Sequence, residues 1–394
     1  MIKTGKGTIT LVALLGIWSV SALTSLPGLA VSPILDKIQH IFPHSSEFDV
    51  QMLTSLPSLL IIPFMLFSGR MAERLGYYRV LACGLWLFLL SGVLYMICTQ
   101  MWQLILVSAL LGIGSGIIIP LSTSLISRFF YGDYRTRQFG YSSAITNVTL
   151  VLATALTGYL AEVEWRLPFV VYLFPVVSIF LLPFVWRSDN NGVSPVEKRK
   201  QSSAGINYKS LSLYMLYYFV ITYLTVIVSF NLSFLMNGYG YDSGTSGVVI
   251  SIFFLAIMVP GLFLSSILKI MKGKIELRSL LVITIGLFVI YAYSSLPLII
   301  LGCIITGVGY GIAQPYLYDK VTQITPTGKV TYALALLMVM NYVAILVCPF
   351  IVDYMQDIVH DHSQRFAFGF NFIIAILSLL VMIIGRIVLV YKKK

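Results

Sequence analysis

Charge is scarce in this sequence. Asp, Glu, Lys and Arg make up 10% of its 394 residues, whereas hydrophobic residues make up 58%. A soluble domain carries about a quarter charged residues. The composition therefore excludes an ordinary soluble fold and indicates that lipid surrounds most of the chain.

Cysteine and histidine are scarce too, with 4 residues of each. All four cysteines lie in apolar runs without CxxC or metal-ligand spacing, which favours a packing role. His360 and His362 flank Asp361, but two neighbouring histidines in a polar loop do not make a metal site. Since there is also no nucleotide loop and no nucleophile–base pair, we expect no enzyme activity, no cofactor and no metal.

Long apolar runs dominate what is present. Only helices and closed barrels can span a bilayer, because backbone N–H and C=O groups find no partner in hydrocarbon. Runs of about 20 residues fit helices, whereas barrel strands alternate over about 10 residues. The sequence therefore predicts an all-α integral membrane protein with twelve transmembrane helices. The predicted spans are 8–34, 50–69, 79–98, 102–127, 138–161, 167–186, 210–236, 245–268, 277–296, 298–318, 330–352 and 366–390.

The positions of the positive charges agree with this count. If both termini lie on one side, the loops of that side hold all but three of the 26 Lys and Arg residues, the exceptions being Lys37, Arg166 and Arg365. Loops rich in Lys and Arg stay in the cytoplasm. We expect a multi-pass protein of the cell membrane (plasma or inner membrane) with both termini cytoplasmic. The basic balance then reflects topology, so no nucleic-acid partner is expected.

A polar linker divides the spans into six and six. Residues 187–209 are rich in charge, Ser, Gly and Asn, as flexible linkers are. We predict an N-terminal six-helix bundle at 1–186 and a C-terminal six-helix bundle at 210–394. The fourth span of each half carries one pattern, GIGSGIIIP and then GVGYGIAQP, 195 residues apart. This indicates a parallel duplication, with the two bundles related by a pseudo-two-fold axis.

The repeated pattern, called the glycine ladder below, predicts close helix packing. Glycines two and four residues apart leave a groove in which a neighbouring helix can approach closely. The proline that follows loosens the backbone hydrogen bonds of the span. Neither copy has the glycine spacing of a GxGxxG phosphate loop. The ladder residues are Gly112, Gly114, Gly116 and Pro120, and Gly307, Gly309, Gly311 and Pro315.

The loop between spans two and three reads GRMAERLGYYR. It resembles the signature loop of the major facilitator superfamily, Gly-x-x-x-(Asp/Glu)-Arg-x-Gly-x-x-(Arg/Lys), at Gly69, Glu73, Arg74, Gly76 and Arg79. With the twelve spans and the repeat, the resemblance covers the whole chain. It implies the major facilitator fold, in which two six-helix bundles of a monomer rock about a central cavity.

Within that superfamily the chain is most similar to the drug–proton antiporters, through the spacing of its first extracellular loop and the WRLPF run at 165–169. Two positions depart from that branch. Ser108 stands where an arginine is usual, and ATALTG at 153–158 replaces the glycine–proline signature of span five. The resemblance implies proton-coupled efflux of drug-like molecules.

The signature loop also predicts a gate. A carboxylate and arginines at helix ends can pair with one another and with helix dipoles. Such a latch must break when a transporter switches between its two states. We expect Glu73 to pair with Arg74, with Arg79 or with a basic group on another helix.

The central cavity is predicted to be neutral and partly aromatic. No titratable acid or base lies near the middle of a predicted span, which disfavours a strongly charged substrate. Buried Asn and Gln need a partner or water, and aromatic faces suit hydrophobic or weakly cationic molecules. The candidate cavity residues, on spans that the resemblance places around the cavity, are Trp18, Asn147, Tyr223, Asn231, Gln314 and Asn341.

Proton coupling usually needs an acid that the cavity can reach. The first candidate is Asp319, which ends span ten four residues after Pro315; the others are Asp36 and Glu162, beyond spans one and five. The alternative is that Asp319 and its neighbour Lys320 form an ordinary interfacial charge pair.

These patterns favour a secondary active transporter that exports hydrophobic or amphipathic small molecules by alternating access. Its expected partners are the substrate, membrane lipids and protons as the coupling ion. Two alternatives stay open. One is a proton symporter or facilitator that takes up a neutral metabolite on the same fold, and the other is a non-transporting membrane sensor or lipid-handling protein.

Overall fold

A computed structural model of the chain describes residues 2–5, 7–27, 38, 40–43, 45, 47–192, 205–241, 243–271, 274–361 and 363–391. A two-stranded antiparallel hairpin, β1 (Ile2–Lys3) and β2 (Thr8–Ile9), precedes a series of long helices. The helices are α1 (Leu11–Leu23), α2 (Glu47–Leu75), α3 (Tyr77–Ile97), α4 (Met101–Phe129), α5 (Asp133–Val163), α6 (Pro175–Gly192), α7 (Tyr208–Gly238), α8 (Ser243–Leu262), α9 (Ile275–Ala292), α10 (Leu296–Ile324), α11 (Val330–Val359) and α12 (Phe366–Tyr391). A helical segment, Leu264–Met271, continues α8 after a break, and 3-10 turns at Leu167–Leu173 and Thr327–Lys329 precede α6 and α11.

Within the described ranges, 11 helices are long and apolar enough to cross a membrane. The remaining helix, α1, is apolar but has 13 residues, about 20 Å at 1.5 Å per residue. Residues 28–34, which complete the predicted first span, lie outside the described residues. The predicted all-α membrane architecture is confirmed.

Several helices run farther than the predicted spans. Helix α2 covers Glu47–Leu75 where 50–69 was predicted, and α5 begins at Asp133 instead of 138. Helix α6 likewise continues to Gly192, inside the predicted linker. The hydropathy pattern reports where the hydrocarbon ends, whereas a helix can continue through the polar interface.

Each half of the chain packs its own hydrophobic core. The first core draws on α1 to α6 and includes the fully buried Phe88, and the second draws on α7 to α12 and includes Phe253. A smaller cluster joins the halves, with Met65 of α2 and Ile119 of α4 packed against Met338 of α11. The described helices therefore form two bundles that meet over a limited surface.

The two bundles repeat one packing scheme around the glycine ladders. The first and third glycines of each ladder lie against α2 or α8, and the middle glycine lies against α3 or α9. A Cβ placed on Gly112 would be 2.7 Å from Cα of Pro57, and one on Gly307 would be 2.9 Å from the carbonyl oxygen of Phe253. Both ladder prolines lie inside their helices, α4 and α10.

The helix ends define two faces of the molecule. The face where α6 ends and α7 begins also holds the signature motif at 69–79, the connection at 130–132 between α4 and α5, and the connection at 325–329 between α10 and α11. It is called the linker face below, and the other is called the opposite face.

Candidate functional site

The most extensive contacts between the bundles are made by two helix pairs, α2 with α11 and α5 with α8, and smaller ones by α4 with α11 and α5 with α10. Each of the first two pairs crosses closely at glycine. A Cβ on Gly69 would lie 3.0 Å from Cα of Tyr332, and one on Gly140 would overlap the carbonyl oxygen of Gly261. Because these glycines let one backbone rest on another, both crossings require the bundles to be closed towards the linker face.

A buried ion pair joins the bundles between these crossings. Nε of Arg135, in the first turn of α5, donates to Oδ1 of Asp319, near the end of α10, at 2.6 Å. The other carboxylate oxygen accepts from Oγ1 of Thr136 at 2.6 Å and from Nε2 of Gln323 at 3.0 Å. The side chains of Arg135 and Asp319 are 11% and 5% exposed. Both carboxylate oxygens are thus bonded, and two of the three donors belong to the other bundle.

Two exposed contacts surround the buried pair at the linker face. Nζ of Lys269 lies 2.6 Å from Oδ2 of Asp133, with both side chains more than half exposed. The guanidinium of Arg70 donates to the hydroxyl of Tyr332 at 3.1 Å and lies over its ring. Exposed ion pairs are worth about 0–1 kcal/mol, so the buried pair is the stronger electrostatic link on this face.

Farther from the linker face, Gln314 lies at the centre of a hydrogen-bonded cluster. Its amide donates to the hydroxyls of Tyr218 at 3.1 Å and Tyr310 at 3.3 Å. Its amide oxygen accepts from Ser143 of the other bundle at 3.3 Å, and the hydroxyls of Tyr218 and Tyr318 are 2.8 Å apart. Gln314 lies about 15 Å along α10 from the end of that helix.

Asn341 extends this cluster to α11. Its amide oxygen accepts from Tyr310 at 3.0 Å and from Thr222 at 3.1 Å. Tyr223, the next residue of α7, is buried and stacks on Phe219, and its hydroxyl has no hydrogen-bond partner among the described residues. The predicted cavity residues Gln314 and Asn341 are therefore linked through one tyrosine.

Three other predicted cavity residues, Trp18, Asn147 and Asn231, lie outside the cluster around Gln314. In the N-terminal bundle, the indole of Trp18 donates to Gln138 at 2.9 Å, and the Asn147 amide donates to the Ser143 carbonyl at 2.8 Å. Asn147 is thus one helical turn from the residue that meets Gln314. Asn231 is half-buried in α7, about 20 Å along that helix from Tyr218, and the structure does not bring it to the cluster.

The signature loop lies beside the α2–α11 crossing. Gly76 begins α3 with a φ of 95°, a left-handed conformation that favours glycine. Glu73, Arg74 and Arg79 are exposed. The cations whose charges act on Glu73 include Lys329, at the start of α11 in the other bundle. The predicted pairing of Glu73 stays a prediction.

A cavity of about 330 Å³ opens between the signature loop and the start of α11. Its walls include Glu73 and Arg128 of the first bundle and Thr331 of the second. Arg128 donates to Asp189 at 2.6 Å and lies over the ring of Tyr77 at 4.7 Å. The Arg128–Asp189 ion pair lies within the N-terminal bundle, so it does not link the bundles.

The three candidate coupling acids are unequally described. Asp36 lies outside the described residues, and Glu162 lies in the last turn of α5 with a side chain outside them. Asp319 is buried and contacts Arg135, as described above. The interpretation of Asp319 and Lys320 as an interfacial pair is therefore corrected: the carboxylate bonds to Arg135, Thr136 and Gln323.

Comparison with known families decides the classification. Residues 9–349 match the family model of the Major Facilitator Superfamily, and residues 214–391 match it again. The chain belongs to the Major Facilitator Superfamily. Its fold class is that of a transporter family, as the signature loop and the repeat predicted.

Similar curated members of the superfamily are named as drug transporters. The chain is 29% identical over 184 residues to the quinolone resistance protein NorA of Staphylococcus aureus, covering 45% of this chain and 44% of NorA. It is 26% identical over 189 residues to the multidrug transporter protein MdtP of Bacillus subtilis, covering 48% of this chain and 32% of MdtP. The chain thus matches less than half the length of these relatives.

Solved structures of other members share the fold over nearly the whole chain. The proton:xylose symporter XylE, solved with 6-bromo-6-deoxy-D-glucose, superposes with a TM-score of 0.70 at 14% identity and covers 94% of both chains. The human organic anion transporter MFSD10 superposes with a TM-score of 0.71 at 18% identity, over 93% of this chain and 98% of that one. These likenesses show the major facilitator fold alone.

Four residues that bond to Asp319, Gln314 or Asn341 are not among the residues predicted from the sequence: Arg135, Thr136, Tyr218 and Tyr310. The apolar pattern predicts that span five begins at 138, which places Arg135 and Thr136 in a loop. Tyr218 and Tyr310 carry no sequence signal that separates them from interfacial or packing tyrosines. The sequence carries one signal for Arg135. The polar run DYRTRQ at 133–138 contains no Pro or Gly, so the helix of span five can begin before residue 138.

Proposed function

We propose that this major facilitator protein is a secondary active transporter that exports hydrophobic or amphipathic small molecules, working as a monomer of two six-helix bundles joined by the 187–209 linker. The names of NorA and MdtP support the substrate class. The neutral, tyrosine-rich cluster around Gln314 supports it as well, because aromatic faces accept apolar and weakly cationic groups.

The observation that carries the proposal is the position of this cluster. Gln314 meets Ser143 across the bundles about 15 Å from the end of α10, while the Arg135–Asp319 pair and the glycine crossings close the linker face. A polar site that both bundles share below a closed gate is what alternating access requires. With both termini cytoplasmic, which we also propose, this arrangement is the state closed to the cytoplasm.

Protons are the proposed coupling ion, with Asp319 as the coupling acid rather than Asp36 or Glu162. Protonation would remove the charge that holds Arg135 and would weaken the link between the bundles. One group could then sense the proton and release the gate. We assign gating roles to the signature loop through Glu73 and Gly69, and packing roles to the glycine ladders.

Uptake of a neutral metabolite is the second candidate function. The hydrogen-bonding groups of Gln314 and Asn341 favour it, because a polyhydroxyl substrate could replace their present partners. XylE, named as a proton:xylose symporter, has the same fold. Fold alone does not separate the two directions of transport.

Proteoliposomes containing a pH-sensitive dye test the proposal. The change of internal pH is measured after addition of a lipophilic cation or a neutral metabolite. The measurement is made with wild type, Asp319→Asn and Glu73→Gln. Asp133→Asn is the matched control, since it removes an exposed acid from the same face. We expect a lipophilic cation to move protons in wild type and Asp133→Asn but not in Asp319→Asn. Transport without proton flux would refute the coupling, and no transport of any compound would favour a sensor or lipid-handling role.

A further inference from the structure

Residues 2–5 and 7–9, which precede α1, belong to a folded element. Ile2 pairs with Ile9 and Lys3 with Thr8 in the hairpin, which is the one sheet in the part of the chain that the structure describes. Ile9 belongs to the core of the N-terminal bundle, and Ile2 packs against that core. Thr4 is only 4% exposed. The hairpin is therefore seated on its bundle through apolar contacts.

The hairpin is bonded to the connection between α4 and α5. The backbone N–H of Tyr131 donates to the carbonyl oxygen of Thr4 at 2.9 Å. Gly5 follows with a φ of 92°, and a Cβ placed there would lie 2.7 Å from the carbonyl oxygen of Tyr131. Both the left-handed backbone and the close approach therefore require glycine at this position.

This connection leads directly into the gate. Gly132 precedes α5 with a φ of 55°, and α5 has no side-chain cap at its start. The first turn of α5 then carries Asp133, Arg135 and Thr136, the three residues that reach the other bundle. Phe130, the first residue of the connection, is buried in the core of the N-terminal bundle, whereas Gly132, directly before α5, gives the backbone freedom and the helix start is uncapped. The bond from Tyr131 to Thr4 lies between these two points.

We propose that the N-terminal hairpin is a strap that positions the start of α5, so that Arg135 and Thr136 reach Asp319 when the linker face closes. Thr4 and Gly5 are its positioning residues. The hairpin, the connection and α5 all belong to one bundle, so the strap moves with that bundle. It holds Arg135 and Thr136 in the same position relative to the rest of the bundle. The inference rests on the alternating-access part of the proposed function.

The test measures how often the linker face opens. Ala335 is fully buried in the cluster between α2 and α11, and an Ala335→Cys reporter reacts with a maleimide only when the bundles part there. The reporter is placed in a Cys83→Ser background, because Cys83 is the exposed native cysteine. Labelling rates are measured on purified full-length protein in nanodiscs, without substrate.

Gly5→Val is the main variant, and Gly240→Val is its matched control. Gly240 has a φ of 84° at the opposite face, with nothing within 4 Å of an added Cβ. Loss of one backbone hydrogen bond predicts a labelling rate about fivefold higher for Gly5→Val. Gly240→Val should change it less than twofold. Tyr131→Pro is the second variant, because it removes the N–H donor while extended Phe130 (ψ 145°) suits a following proline.

A double-variant comparison separates positioning from general destabilisation. If the strap acts through Asp319, Gly5→Val should add less than a twofold increase in a chain that already carries Asp319→Asn. An unchanged rate in both Gly5→Val and Tyr131→Pro would overturn the proposal. The same fivefold increase with and without Asp319→Asn would overturn it too. Since no substrate is used, a failure to find drug export would refute the proposed function and leave this result standing.

Discussion

Removing the cation of the buried pair should open the linker face. In Arg135→Met, the carboxylate of Asp319 keeps its bonds to Thr136 and Gln323 but loses its only bonded counter-charge among the described residues. A buried ion pair that loses one partner costs about 3–5 kcal/mol, because the remaining charge stays desolvated. That cost falls on the closed state, in which Asp319 is 4% exposed. In a state open at this face, water can solvate the carboxylate.

The size of the effect follows from the lower end of that range. A change of about 3 kcal/mol shifts the ratio of closed to open molecules roughly a hundredfold, since each 1.4 kcal/mol is a factor of ten. The matched control is Lys269→Met, which breaks the exposed pair with Asp133 on the same face. Exposed pairs contribute about 0–1 kcal/mol, so the control should shift the ratio less than about fivefold.

The Ala335→Cys labelling rate measures this ratio directly. We expect it to rise by one to two orders of magnitude in Arg135→Met and to change little in Lys269→Met. The charge-exchanged chain Arg135→Asp with Asp319→Arg should recover part of the slow labelling of wild type. Equal rates in wild type and Arg135→Met would refute the claim that this pair holds the face closed.

Three further predictions use other contacts. Gly140→Ala places a methyl group on the backbone of α8 and should raise reporter labelling at least about fivefold through about 1–3 kcal/mol of overpacking. Gly158→Ala, with open space at its Cβ, should not. Gln314→Ala removes bonds to two tyrosines and should raise the transport KM about tenfold, with Vmax within threefold. Gly309→Ala places a methyl group against α9 and should lower the melting temperature by about 3–6 °C, as measured by differential scanning fluorimetry. Gly247→Ala, whose added Cβ has no atom within 4 Å, should leave the melting temperature unchanged.

The membrane frame was predictable because it depends on properties that one sequence carries. Run length sets the number of spans, and the 195-residue repeat of the ladders sets the relation between the halves. Because buried amides need partners, Gln314 and Asn341 were expected to be hydrogen-bonded, and tyrosine hydroxyls bond to both amides. Their role in a substrate cavity stays a prediction.

The buried ion pair between the bundles was not predictable from the sequence, because it joins residues that are far apart in the chain. Asp319 and Arg135 are 184 residues apart, and no local pattern links them. The neighbour Lys320 suggested a local pair, but adjacent residues of a helix do not face each other. Arg135 lies in a predicted loop, because helix α5 begins at Asp133, before the apolar span from which the helix was predicted.

The repeat also separates the contacts that the two halves share from those that only one half makes. The 195-residue offset aligns Asp319 with Ser124 and Gln323 with Arg128. In the first bundle, Ser124 bonds to Tyr77 and Arg128 pairs with Asp189, both within that bundle. In the second, the equivalent helix positions hold an acid and an amide, and the acid reaches the other bundle. The packing scheme is shared by the halves, whereas the buried carboxylate that links them belongs to the second half. A symmetric scaffold can close in the same way at both crossings, and under the proposed coupling a buried carboxylate in one half would let one proton act on the closed state as a whole.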